Sequence, residues 1–369
     1  MDTAFPFGLP LPTAFYLTAY VVTLMIHVVF MNYVLAGTAT LAVAYLTSYR
    51  SVMGDSGKIL KEWLPLMLSG AITAGVAPLL FVQILYKREY YTANLLLFNR
   101  WMAILPVLII GFYAMYLLKS RWLSRRPAWT VVVAMVPAVC VAFTGFSWTE
   151  NHLLSVRPMA FWGEFYATQP RVYTEVQLVP RLLVWAFGSI PTMVLILAWQ
   201  HWYRGTGRPL TLAQAAGLGL VLAGGAAAWY YAATNDTTRL AFVSSLAAPY
   251  FVAACLGMFV QAVVWGWVGL SGKIRSIQLL AASLGVAMTI GGMTVCREAV
   301  RIATLGPEQF QAHFPAHAEA FGKGGVYLFL AFFALNAVLI TLVLWLVRHR
   351  QAVNANPDRS AVSADPGAG

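Results

Sequence analysis

The stretch that decides the fold is AFYLTAYVVTLMIHVVFMNYVLAGTATLAVAYLTS, residues 14–48, which contains no Asp, Glu, Lys or Arg. A helix needs about 20 apolar residues to cross roughly 30 Å of hydrocarbon, so this stretch predicts one long membrane-spanning helix. Eight further apolar stretches meet the same requirement. They cover about 63–86, 101–118, 128–148, 181–203, 211–233, 246–270, 276–300 and 325–347.

The composition indicates the same class of protein. Of 369 residues, 60% are hydrophobic and 10% charged, and the mean hydropathy is +0.70. Soluble chains average about 25% charged residues, so a soluble enzyme, a disordered protein and a secreted disulfide scaffold are excluded. The sequence predicts an all-α polytopic membrane protein in contact with the lipid bilayer. We expect residues 1–350 to form one nine-helix transmembrane domain and residues 351–369 to form a disordered cytoplasmic tail.

The distribution of Lys and Arg predicts the orientation. The net charge of +11 first suggests a nucleic-acid partner, but in a polytopic protein it is typical of basic cytoplasmic loops, so no nucleic acid is expected. The short loop 119–126 carries four basic residues and no acidic one. This places the N-terminus outside and the C-terminus inside. The two long connections, about 149–180 and 301–324, then lie on the outer face, which in a bacterial inner membrane is the periplasmic side.

His27 is the only histidine deep in an apolar run. Imidazole is a common axial ligand of haem iron, so His27 is a candidate haem ligand. The alternative is a neutral histidine that is hydrogen-bonded to a carbonyl group or to Asn32.

A charged cluster ends the eighth span. Arg297 and Arg301 are four residues apart and share one helix face, with Glu298 beside them. At the outer boundary these arginines are expected to pair with haem propionates or a quinone headgroup, and Glu298 to act as a ligand or proton acceptor. The alternative is an interfacial charge cluster that only caps the span.

The remaining histidines and the cysteines are weaker candidates. His152 is expected on the outer loop, facing a partner. His313 and His317 have helical spacing, but Pro315 between them argues against a metal site. The three cysteines form neither a Cys-x-x-Cys-His motif nor a thiolate cluster, which excludes covalent haem c and an iron–sulfur cluster.

Several positions carry a likeness to a known family. They are His27 with Gly37 after it, residues 74–77 (Ala-Gly-Val-Ala) through Gln83, residues 90–94 (Tyr-Tyr-Thr-Ala-Asn), Glu298 and Arg301. On these positions the chain resembles subunit I of the cytochrome bd-type quinol oxidases, as a distant member. That family has nine spans with the N-terminus outside, a haem-ligating histidine on a long first helix, and a Glu and Arg motif at the outer end of the eighth span.

The chain also departs from the family pattern. Residues 181–185 hold no histidine where the family has a low-spin haem ligand, and the partner methionine of the seventh span falls near Ala253 and Ala254. The outer quinol loop is reduced to residues 235–239 and a few neighbours, and the glutamates of the third span are replaced near Leu105 and Tyr113. The resemblance therefore implies one haem, not the full set.

The resemblance implies a membrane electron-transfer subunit. It would bind one b-type or related haem through His27, with Glu298, Arg297 and Arg301 near the propionates or iron. It would exchange electrons with quinone or a periplasmic cytochrome c and associate with a second membrane subunit. One alternative is a haem-free membrane anchor of a periplasmic redox complex. The other is a transporter, which the nearly uncharged spans disfavour.

Overall fold

The computed structural model describes residues 8–47, 50–168, 170, 173 and 175–354. All secondary-structure elements in these residues are helices. They are α1 Leu11–Leu46, α2 Arg50–Leu85, α3 Lys87–Leu96, α4 Phe98–Leu117, α5 Arg121–Ser124, α6 Pro127–Ser155, α7 Met159–Thr168, α8 Leu178–Arg204, α9 Pro209–Ala233, α10 Asp236–Phe242, α11 Ala248–Ser271, α12 Ser276–Leu305, α13 Pro307–Gln311, α14 Phe314–Gly322 and α15 Gly325–Asn354.

Nine helices of the described residues are long and apolar enough to cross a membrane, which confirms the prediction of an all-α, nine-span membrane protein. They are α1, the Met53–Leu85 part of α2, α4, α6, α8, α9, α11, α12 and the Gly325–Val343 part of α15. Orientation in the membrane stays a prediction. The last helix continues to Asn354, four residues into the segment predicted as a disordered tail, and residues 355–369 lie outside the described residues.

Local sequence signals explain where several spans begin and end. Pro127 and Pro209 occupy the first turns of α6 and α9, where proline has no hydrogen bond to lose. Gly205 and Gly272 follow α8 and α11 in the left-handed conformation (φ 65° and 62°), which glycine adopts without a Cβ penalty. Gly54 breaks α2 near its start with φ 49° and ψ −124°.

The chain divides into two compact units, Met1–Phe314 and Pro315–Gly369. The second unit contains α15 and most of α14. In the first unit, a buried apolar cluster joins α1, α2, α8, α9, α11 and α12 at the centre of the helix bundle. Apolar side chains on the outside of this bundle, such as Val221 (73% exposed) and Leu270 (92% exposed), suit contact with lipid.

Glycines bring two helix pairs of the first unit into close contact. A Cβ at Gly257 or Gly292 would lie 2.6 Å or 2.4 Å from a backbone carbonyl of the partner helix, so α11 and α12 touch backbone to backbone. A Cβ at Gly219 of α9 would lie 2.8 Å from the side chain of Ile190 on α8. Small residues at such crossings are typical of membrane helix pairs.

Candidate functional site

Glu298 is the centre of a buried polar network at one end of the bundle. Its side chain is fully buried, and Oε1 accepts hydrogen bonds from Arg297 Nε at 3.2 Å and Nη2 at 3.0 Å. The Tyr86 hydroxyl donates to Oε2 at 3.1 Å, and Arg301 Nη1 lies 4.0 Å from the same oxygen. A carboxylate at this depth is stable only when such partners compensate its lost hydration.

Both arginines of α12 also contact other helices. Arg297 Nη2 donates to the Tyr20 hydroxyl of α1 at 2.5 Å. The Arg301 guanidinium carbon lies 3.8 Å from the centre of the Tyr86 ring, and Nη2 donates to Ser155 Oγ at 3.3 Å. The structure thus brings together Arg297, Glu298 and Arg301, as their spacing predicts. Because Arg301 and Glu298 are almost completely buried, the cluster differs from an exposed interfacial cap.

His27 is held by α2. Its Nδ1 lies 2.8 Å from the carbonyl oxygen of Ala71, so Nδ1 carries the proton and donates it there. A Cβ at Gly75 would lie only 3.0 Å from His27 Cε1 and Nδ1, so the absence of a side chain at Gly75 makes room for the imidazole. Among the described residues, none forms a hydrogen bond with Nε2. Asn32 bonds Thr192 instead, at 3.2 Å.

His27 and the Glu298 network lie near each other without forming one set of contacts. Tyr20 precedes His27 by seven residues, or two helical turns, so both side chains are on the same face of α1. Arg297 bonds Tyr20 and so reaches the face of α1 that carries His27. That His27 and Arg297 belong to one site stays a prediction, and Arg301 contacts Tyr86 and Ser155.

A cavity of about 410 Å³ opens beside this network, between helices α1, α6, α8, α9, α10, α11 and α12. Its volume is in the range of small-molecule sites. Its charged or basic side chains are His152, Arg157, Glu175, Arg181, Arg297 and Arg301. Its apolar lining includes Val184, Trp185, Met258, Val286, Ile290 and Met293. Two hydrogen-bonded pairs line it as well, Asn32 with Thr192 and Gln261 with Thr289. His27 is not among the described residues that line it.

One cavity residue, His152, has a different setting from the one predicted, and another, Arg181, was not predicted as a site residue. His152 is not on a loop, because α6 continues to Ser155 and turns His152 towards the cavity. Arg181 lies one turn into α8, is 8% exposed and lines the cavity, as Arg301 does. The sequence signal that could have identified Arg181 as a site residue is a cation at the start of an apolar span. For His152 the only signal was its helical register with the preceding span.

A second polar cluster lies outside the spans, on α3 and the segment after α12. Glu89 is fully buried, with His313 Nε2 3.2 Å from Oε2 and Gln309 Nε2 donating to Oε1 at 3.0 Å. Burial alone raises the pKa of Glu89, but the contact with His313 and the hydrogen bond from Gln309 outweigh it and lower the pKa to about 2. Glu89 is therefore an ionised anchor between these two parts of the chain.

A third cluster positions the predicted outer loop 149–180. Glu150 of α6 is fully buried, pairs with Arg100 of α4, and accepts a hydrogen bond from the backbone nitrogen of Tyr173 at 2.6 Å. The Tyr173 hydroxyl accepts from Arg157 Nε at 2.7 Å and donates to Glu175 at 2.7 Å. These contacts bring Arg157 and Glu175 to the edge of the cavity, where they form an ion pair at 3.2 Å.

Within the part of the chain that the structure describes, no three His, Cys, Asp or Glu side chains are grouped in a way that could hold a metal ion. Any iron at His27 would thus depend on a porphyrin for its other ligands. Comparison of the chain with protein-family models, with curated proteins and with solved structures finds no match. The resemblance to the bd-type oxidase subunit stays a prediction.

Proposed function

We propose that this protein is an electron-transfer subunit of a bacterial inner membrane that binds one b-type or related haem through His27. Two observations together carry the proposal: His27 Nδ1 donates a hydrogen bond to the Ala71 carbonyl, and His27 Nε2 bonds none of the described residues. Metal-ligating histidines almost always donate their second ring nitrogen in this way, which fixes the tautomer and leaves the other nitrogen as the ligand. A bound haem would supply reversible one-electron transfer.

The residues around His27 fit an axial ligand. Nε2 has no hydrogen-bond partner among the described residues, and Gly75 lets the ring sit against α2 in one orientation. Arg297 would be the cation that pairs with a propionate, because it is held by Tyr20, which shares a face of α1 with His27. Glu298 then positions Arg297 and reduces its net charge, a role that burial and two hydrogen bonds support.

The proposal includes partners at the predicted outer face. Electrons would be exchanged there with quinone or a periplasmic cytochrome c, next to a second membrane subunit. Support comes from the position of the charged network, which lies at the end of the bundle that the Lys and Arg distribution predicts to be outside. The competing function is a haem-free membrane anchor of a periplasmic redox complex. The bond to Ala71 favours it too, since that bond also satisfies a purely structural histidine.

The experiment compares optical spectra of purified variants. Wild-type protein is expected to show a Soret band and a pyridine haemochrome. His27→Gln retains an N–H group that can donate to the Ala71 carbonyl but lacks an imidazole ligand, so it is expected to lose the Soret band while remaining folded. The matched control is His201→Gln, since His201 is bonded to Ser56 and Thr206 in a separate part of the bundle.

The outcomes separate the two functions. Loss of colour in His27→Gln, with retained colour in His201→Gln and similar melting temperatures, supports the haem subunit. A colourless wild-type protein, or a Soret band that persists in His27→Gln, refutes it and favours the haem-free anchor.

A further inference from the structure

The arginines of the cavity are not equally paired. Arg157 forms an ion pair with Glu175, and Arg297 with Glu298. Arg181 is only 8% exposed, yet it has no carboxylate within 4.0 Å among the described residues. Arg301 is 3% exposed, lies 4.0 Å from a carboxylate that is already bonded to Arg297, and has a buried Nε without a hydrogen-bond partner. Two positive charges therefore face the cavity in excess.

An excess of buried positive charge requires compensation. Arginine stays protonated in proteins, so neither Arg181 nor Arg301 can become neutral. Burying an unpaired ion is unfavourable, and an anionic ligand would offset that cost. Two arginine forks at one end of a cavity suit a phosphate, whose oxygens accept paired hydrogen bonds. An uncharged quinone would leave both charges uncompensated.

The rest of the cavity has the shape and polarity of a site for one chain. Along α12 its lining runs from Val286 to Thr304, about 27 Å at the helical rise, so the cavity extends well beyond the arginines. Trp185, Met258 and Met293 line the part beyond the arginines. An apolar space that extends this far from the charged end suits an extended hydrocarbon chain.

We infer that the cavity binds a single-chain lipid phosphate, with the phosphomonoester head at Arg181 and Arg301 and the chain along Trp185, Met258 and Met293. This site is separate from the His27 ring, which does not line the described part of the cavity wall. The inference holds whether or not His27 binds haem.

Three decyl amphiphiles of equal chain length test the charge requirement. They are decyl phosphate, decyl sulfate and decanol, each added to delipidated protein at pH 7.5, with binding measured by calorimetry. A phosphomonoester carries nearly two charges at this pH, a sulfate one and an alcohol none. Decyl phosphate is expected to bind at least about tenfold more tightly than decyl sulfate, and decanol more weakly still. Equal binding of the three overturns the inference.

Variants locate the head group. Arg181→Gln and Arg301→Gln are each expected to weaken decyl phosphate binding about tenfold or more. Arg204→Gln, which changes an exposed arginine on the same helix as Arg181, is the matched control and is expected to bind normally. Unchanged affinity in Arg181→Gln contradicts the assignment.

A second measurement distinguishes ligand binding from a structural role. Because Arg181 is unpaired, Arg181→Gln is expected to raise the melting temperature of the ligand-free protein by several degrees, whereas a structural arginine would lower it. The Soret band of a haem bound through His27 is expected to persist in Arg181→Gln. Loss of colour in that variant would mean that the cavity holds the porphyrin and would overturn the lipid phosphate site, while colour lost only in His27→Gln supports both proposals.

Discussion

Replacing Glu298 with glutamine preserves the size of the side chain but removes the one carboxylate among the described residues that pairs with Arg297 and Arg301 of α12. Arg297 loses two charge-assisted hydrogen bonds, at 3.0 Å and 3.2 Å, and Arg301 loses its nearest negative charge. Each hydrogen bond to a charged group contributes about 1.5–3 kcal/mol. Removal of one partner from a buried ion pair costs about 3–5 kcal/mol, so we expect Glu298→Gln to lower the free energy of unfolding by that amount.

The assay is reversible unfolding of the purified protein in mixed detergent micelles, followed by tryptophan fluorescence. Glu308→Gln is the control, because Glu308 is exposed near the same end of the bundle and is expected to change the free energy by less than about 0.5 kcal/mol. The Arg297→Met variant and the double variant complete a mutant cycle.

The cycle isolates the interaction of Arg297 with Glu298. Since the two residues are in contact, we expect a coupling energy of about 1.5–3 kcal/mol, with the double variant less destabilised than the sum of the single variants. A loss below about 1 kcal/mol in Glu298→Gln, or additive effects in the cycle, would refute the argument that this carboxylate compensates the arginines.

Two further predictions concern Gly75 and Glu89. Gly75→Ala places a Cβ 3.0 Å from the His27 ring and is expected to lower the free energy of unfolding by about 1–3 kcal/mol. Gly145→Ala, whose Cβ would meet open space, is the control in the same unfolding assay. Equal stability of the two variants would contradict the packing of Gly75 against His27. Glu89 has a folded-state pKa of about 2 against an ordinary value of 4.5, so its contribution of roughly 3 kcal/mol is fully present above about pH 4.5 and is lost as the pH falls towards 2. The Glu89→Gln variant is expected to be less stable than wild type at pH 7 and to lose less stability between pH 5 and 3, and parallel pH profiles would disprove the role of Glu89.

The spans are predictable from the sequence because hydrocarbon thickness sets a length and a polarity that each helix must meet. Their ends are less predictable. The fourth span was predicted to end near residue 148, yet α6 continues to Ser155, since Glu150 and Asn151 are buried against Arg100 and Asn94. Hydropathy treats these polar residues as a loop, whereas partners on α4 and α3 satisfy them inside the bundle.

The candidate site was predictable only where it follows helix geometry. Spacing on α12 is enough to place Arg297 and Arg301 on one face. The contacts from Tyr20 and Tyr86 were not predictable, because they join residues 277 and 212 positions apart, and aromatic residues are common throughout this chain. That Arg181 is unpaired depends on the absence of a nearby carboxylate on the described parts of neighbouring helices, which a local sequence pattern does not predict.

The glycine contacts have a consequence for how a molecule would enter the cavity. Backbone contact at Gly257 and Gly292 makes α11 and α12 a rigid helix pair, and the contact of Gly219 with Ile190 does the same for α8 and α9. The two helices of either pair cannot separate without opening a gap that no side chain would fill. The cavity is therefore expected to open by movement of the α11–α12 pair relative to the α8–α9 pair. A disulfide between one introduced cysteine in each pair would hinder this movement without changing Arg181 or Arg301.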